Sequence, residues 1–225
     1  MKNLNTKAFG GLFFLIFIIT ASLFLPAWTF NYWQAWGFLV VFFASVFAIT
    51  LYLMKKDPRL LERRVNAGPI AEKEIRQKII QSIAGVAFIA IFVISSIDHR
   101  LVWSMVPTGV IIVGDILTLL GLLTVFFVFK ENTFTSGIIE VANEQKVISS
   151  GPYALVRHPM YVGGLVMLLG VPFALGSYWG LLATIPIYIV IVWRLLDEEK
   201  FLAKNLAGYL EYKKKVTYRL IPFFW

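Results

Sequence analysis

Tyr153, Arg157, His158, Pro159 and Tyr161 fall close together in SSGPYALVRHPMY, a polar, turn-forming stretch between two long apolar runs. Pro159 disfavours helical backbone at His158 and suits a first helical turn, so a helix is expected to begin there. Its unpaired N–H groups and positive dipole end would face the polar stretch, a favourable place for an anionic group such as a carboxylate. Arg157 and His158 stand at that mouth. Taken singly, Tyr153, Arg157 and Tyr161 are also residue types that anchor helices at a membrane interface; the whole constellation favours a ligand. Further along, Arg194 ends an uncharged apolar run and precedes Glu198 by four residues, so the two share a helix face, with Glu199 alongside. An ionised side chain in that position is expensive and usually has a purpose.

The elements that must position these residues are membrane helices. Of the 225 residues 59% are hydrophobic and 15% charged, and the mean hydropathy is +0.76, against roughly 45–50% and about 25% for a soluble domain. No Asp, Glu, Lys, Arg or His lies between Lys7 and Lys55, between Lys78 and Asp98, or between His158 and Arg194. Each gap can cross a hydrocarbon core of about 30 Å. Six spans are expected, near 9–26, 33–54, 79–97, 107–129, 160–176 and 179–196, the last two forming a hairpin about Gly176-Ser177. No alternating ten-residue pattern suggests a barrel, so the expected fold is an all-α polytopic bundle. Lys2 and Lys7 before an apolar run resemble a signal peptide. The run to Pro26 exceeds the usual apolar region of one and lacks a clear cleavage site, so it is read as the first anchor.

With both termini cytoplasmic and six spans threaded, 20 of the 21 Lys and Arg fall inside and only Arg100 outside. That asymmetry accounts for the net charge of +8 and leaves no call for nucleic acid. The absence of cysteine excludes disulfides, thiolate nucleophiles and Cys-based metal sites. His99 and His158, on opposite sides in this topology, make a metal centre unexpected.

Three inner segments carry the polarity. In 55–78, Asp57 and Pro58 read as N-cap and first helical residue, and Leu60, Leu61 and Val65 give an apolar side; an interfacial helix with its basic residues near anionic lipid is expected. Segment 130–158 is too polar for lipid and too rich in Gly, Ser and Asn for one helix, so it should form a folded cytosolic loop. In 194–225, Phe201, Leu202, Leu206 and Tyr209 fall on one side of a surface helix, with Asp197, Glu198 and Glu199 in its first turns and Lys213, Lys214 and Lys215 in its last. Asp115, the one acid well inside a span, should face the bundle in a structural role.

GPYALVRHPMY, then RLLDEEKFL, then GYLEYKKKVTYRLIPFFW resemble the isoprenylcysteine carboxyl methyltransferase family and its bacterial relatives, within a wider group that includes the membrane phospholipid methyltransferases. The resemblance is strong over 130–225 and looser earlier, through LPAWTFNYWQAW and DPRLLERR. It implies an S-adenosylmethionine-dependent transferase with a transmembrane region over 1–129 and a cofactor-binding region over 130–225, the cofactor lying on the cytosolic side. The cofactor-holding roles fall on Gln145, Lys146, Val147, Ile148, Tyr153, His158, Pro159, Met160, Tyr161 and Glu198, with Glu199 the adjacent acid. The substrate-linked arginine is Arg194, and Glu140 sits where the family has a cofactor-contacting glutamine. LAGYLEY departs from the longer FG-containing stretch of the eukaryotic enzymes, which loosens any inference to the same lipid substrate.

The residue inventory suits such chemistry. Methyl transfer from a sulfonium requires mainly alignment and exclusion of water. A carboxylate acceptor, ionised already, could be clamped by Arg194. An amine acceptor would need a base, for which Glu198, Glu199 and His158 compete. A bundle in lipid also gives a lipid-like or prenylated acceptor a lateral route. Two other readings stand beside this one: an NADPH-dependent membrane reductase of the sterol-reductase type, and a membrane protein without catalysis.

Overall fold

The structure is a computed structural model and describes residues 2–225. Among these residues it contains eight α-helices, one 3-10 turn at Gly151–Ala154, and no strand. The helices are α1 (Lys2–Ala27), α2 (Trp33–Lys56), α3 (Pro58–Val65), α4 (Ile75–Leu101), α5 (Thr108–Glu131), α6 (Pro159–Ala174), α7 (Gly180–Asn205) and α8 (Tyr209–Lys215). Helices α1, α2, α4, α5 and α7 are long and apolar enough to cross a membrane. Their lipid-facing surface is greasy: Phe13, Phe14 and Phe17 of α1 are all exposed. In water such a surface would drive aggregation, whereas in acyl chains it has no cost. This is a multi-pass integral membrane protein.

The expected fifth span, 160–176, is the 16-residue α6, about 24 Å long and shorter than the other five. It survives by close packing on α5, where four glycines bring the backbones together. A Cβ on Gly121 would sit 2.5 Å from the Gly163 carbonyl oxygen, and one on Gly170 would sit 2.6 Å from that of Gly114. Small residues allow this approach where lipid supplies no hydrophobic drive between helices. Both pairs are spaced by seven residues, 114 to 121 and 163 to 170, two turns along one helix face.

The bundle has two polar ends. At one, the loops 28–32, 102–107 and 175–179 meet. Asp98, at the end of α4, accepts hydrogen bonds from the Ser104 amide and hydroxyl, each at 2.7 Å, and from the Ser177 hydroxyl. Tyr32 donates to the Leu175 carbonyl at 2.8 Å and stacks on His99 with ring centroids 3.9 Å apart. Trp28, Trp33, Trp103 and Trp179 are exposed around this end, the aromatic girdle expected of a membrane interface. Arg100 is its one Lys or Arg among the described residues; the other end gathers 57–74, 132–158 and 206–225.

Two departures from the sequence-based expectation concern the basic end. Segment 55–78 is a two-turn helix, capped as expected by the Asp57 carboxylate on the Leu60 amide (3.0 Å), but it ends at Val65 and turns through 66–74 into α4. The surface helix expected across 194–215 is divided: α7 continues the membrane helix to Asn205, Gly208 (φ +82°) breaks the chain, and α8 starts afresh. Positive φ is inexpensive for glycine and a helix stops where it occurs. Asp115, half-buried on α5, has its Oδ2 beside Gly37 of α2, and its Oδ1 has no hydrogen-bond partner.

Candidate active site

A cavity of about 360 Å³ opens at the basic end, within the roughly 300–1,000 Å³ of small-molecule sites. The connector 132–158 supplies most of the wall, α6 its first turn, α7 one charged face, and Leu206, Tyr209 and Tyr212 the far side.

The mouth of α6 follows its sequence. His158 is the N-cap residue at φ −125°, ψ 59°, outside the helical region as Pro159 demands. Tyr161, one turn in, donates to Glu198 Oε2 at 2.6 Å and so joins α6 to α7. Tyr153 accepts from Asn132 Nδ2 at 3.0 Å, and its own carbonyl accepts from the Tyr212 hydroxyl at 2.8 Å. Burial pushes the Tyr153 hydroxyl up to about 12, so it remains a neutral donor at ordinary pH. The Tyr209 hydroxyl, raised by burial likewise, is buried in the wall with no hydrogen-bond partner.

Behind the cavity two buried carboxylates secure the wall. Glu199 receives Arg157 Nε at 2.6 Å and Arg219 Nε at 3.1 Å, with His158 Nε2 at 3.4 Å and Lys213 Nζ at 3.6 Å. Arg157 also donates to the carbonyls of Val216 and Thr217, and the amides of Arg157 and His158 donate to the carbonyls of Tyr218 and Arg219. These bonds lash the tail to the mouth of α6. Glu72, 4% exposed, pairs with Arg194 at 2.8 Å. Arg194 donates further to Gln77 Oε1 (3.0 Å) and the Gly137 carbonyl (3.2 Å).

Every site residue expected from the sequence lines this cavity except Glu199: Gln145, Lys146, Val147, Ile148, Tyr153, His158, Pro159, Met160, Tyr161, Arg194 and Glu198, with Glu140 among them. Glu199 faces away and organises the tail. The Gln145 side chain accepts from the Ala142 amide at 2.8 Å, so part of it serves the loop's own turn. Arg157, expected to point at a ligand, spends its guanidinium on Glu199 and the tail. Arg194 takes Glu72 as its ion partner, not Glu198, its neighbour four residues on.

Residues 110–208 match the family described as Phospholipid methyltransferase. The match runs from α5 to the Gly208 break and takes in the connector, both helices of the hairpin and every wall residue except Arg64, Ala67, Gln81, Tyr209 and Tyr212. It supports methyl transfer at a membrane. A 92-residue segment is also 34% identical to the Delta(14)-sterol reductase of Mus musculus, covering 38% of this chain and 21% of the reductase. The chain thus spans about a fifth of that relative's length.

Several wall residues escaped the sequence reading: Arg64, Ala67, Gln81, Asn132 and Phe134. Arg64 and Ala67 belong to the segment read as an interfacial helix. The signal was the third basic residue on a helix whose other face was already apolar, but nothing local says that its side chain turns inward.

Proposed function

We propose that this protein is an S-adenosylmethionine-dependent methyltransferase that works at the membrane on a lipid-like or prenylated acceptor by carboxyl O-methylation. The observation that carries the reading is a single cavity walled jointly by the connector, the mouth of α6, the charged end of α7 and the tail. Its donor set suits this cofactor. Glu198 and Glu140 offer carboxylates to cationic groups, Leu202, Leu206 and Val147 offer apolar faces to a ring, and the unpartnered Tyr209 hydroxyl offers a hydrogen bond.

When bound, the cofactor supplies a methyl group already activated by its sulfonium. The chain's own residues have the task of binding, orienting and drying the site. Main chain and side chains of Gln145, Lys146, Val147 and Ile148, with Tyr153, His158, Pro159 and Met160, would hold the nucleotide. Tyr161 holds Glu198 in place, and Glu198 would take the amino group. Arg194, steadied by Glu72 and Gln77, would turn its remaining donors to the acceptor carboxylate. The basic end is the cytosolic one in this reading, with both termini there.

A second reading, NADPH-dependent reduction of an unsaturated lipid, is favoured by the likeness to the sterol reductase. Titration calorimetry of the detergent-purified protein with S-adenosylhomocysteine and with NADPH separates the two. Micromolar binding of the first alone is expected, and binding of NADPH alone would overturn the methyltransferase reading. Labelled methyl released from extracted lipid by mild base would identify an ester; base-stable label would point to an amine.

A further inference from the structure

Three guanidinium groups reach the cavity wall, those of Arg64, Arg157 and Arg194. Two are neutralised by carboxylates placed behind them, Glu199 for Arg157 and Glu72 for Arg194. Arg64 has no carboxylate within ion-pair distance among the described residues. Its partners are all neutral: the Ser136 carbonyl at 2.8 Å, Met160 Sδ at 3.8 Å and the Phe129 ring at 5.3 Å. Burial pulls its pKa below the ordinary guanidinium value, yet an arginine stays charged in a protein. Taking a cation out of water beside neutral groups alone is expensive.

The chain nevertheless holds Arg64 inward. Leu60, one helical turn earlier and therefore on the same face, is fully buried, and Asp57 and Pro58 fix where α3 begins. The neighbouring Arg63 turns elsewhere, to the Thr133 carbonyl at 2.6 Å and the Phe134 ring. Of three arginines on one short helix, Arg64 alone lines the cavity, and it does so with no carboxylate in reach among the described residues.

We infer that Arg64 is the anion receptor of this cavity, binding carboxylate or phosphate oxygens of the ligand in the geometry a guanidinium fork prefers. The identity of that ligand rests on the methyltransferase reading. Within it, the anion comes either from the amino-acid end of the cofactor or from the acceptor.

The test is titration calorimetry on the full chain and its Arg64→Gln and Arg64→Lys variants, using two matched pairs of probes. The first is S-adenosylhomocysteine against its decarboxylated analogue; the second is N-acetyl-S-farnesylcysteine against its methyl ester. Wild-type protein is expected to prefer the carboxylate member of one pair by about 10- to 100-fold. Arg64→Gln should abolish that preference, and Arg64→Lys should keep part of it. The pair affected says whether cofactor or acceptor supplies the anion. Preferences unchanged in both variants would overturn the inference. Should Arg64→Gln fail to fold by circular dichroism, Arg64→Lys decides, since full retention of the preference would exclude a fork-specific contact. Wild-type protein that bound NADPH and no adenosyl probe would remove the methyltransferase reading alone. The comparison then runs on NADPH against NADH, which differ by one phosphate, and a preference insensitive to Arg64, or no binding of any probe, overturns the Arg64 site itself.

Discussion

The two ends of this bundle each bury a carboxylate between helices, and they use it differently. At the tryptophan-ringed end both Asp98 oxygens are occupied by Ser104 and Ser177, whose hydroxyls in turn accept from the amides of Tyr178 and Gly180. That network closes on itself over a few short loops. At the basic end Glu199 is equally buried but gathers three cationic side chains and the His158 ring from the connector, the tail and α8, and beyond it lies a cavity whose wall carries Arg64 without a counter-ion and the Tyr209 hydroxyl without a partner. A closed network serves stability. A wall with unspent polar groups has something left to offer a ligand.

The comparison can be broken most forcefully at Glu199. Glu199→Ala strands Arg157 in a buried site, and thermal unfolding in detergent should report a loss of about 3–5 kcal/mol, together with loss of S-adenosylhomocysteine binding as the tail comes free. An unchanged midpoint would mean that the tail is held by something else. Glu198→Ala, on the cavity side of the same helix, should do the reverse, weakening the nucleotide by about 10- to 100-fold while leaving the unfolding midpoint near wild type. Asp98→Ala should cost about 1–3 kcal/mol with nucleotide affinity intact; an affinity loss like that of Glu198→Ala would erase the difference between the ends. The smallest effect is expected of Tyr153→Phe, which removes the acceptor of the Asn132 amide and should cost about 1 kcal/mol, read as a few-fold weaker nucleotide binding.

The spans were legible because charge is excluded from them so sharply, and the start of α3 because Asp57-Pro58 carries its cap chemistry locally. The mouth of α6 was legible for the same reason, since Pro159 dictates the backbone of the residue before it. The break at Gly208 and the division of labour between Glu198 and Glu199 were not. Two adjacent acids on a helix point about 100° apart, and which of them meets the cavity depends on how α7 is rotated against α6. Arg194 illustrates the same limit. Its sequence neighbour at helical spacing is Glu198, but Glu72, more than a hundred residues earlier, takes its charge.

By itself the sequence determined that this chain lives in a membrane as helices, which segments stay outside the lipid, and which residue types cluster there, because hydropathy, proline geometry and capping act over a few residues. Only the tertiary structure decided which cations meet which carboxylates, that α3 turns one arginine inward, and that connector and tail share one cavity. Those outcomes come from packing between elements far apart along the chain, where the pairing energies are similar and only the simultaneous fit of all the helices selects among them.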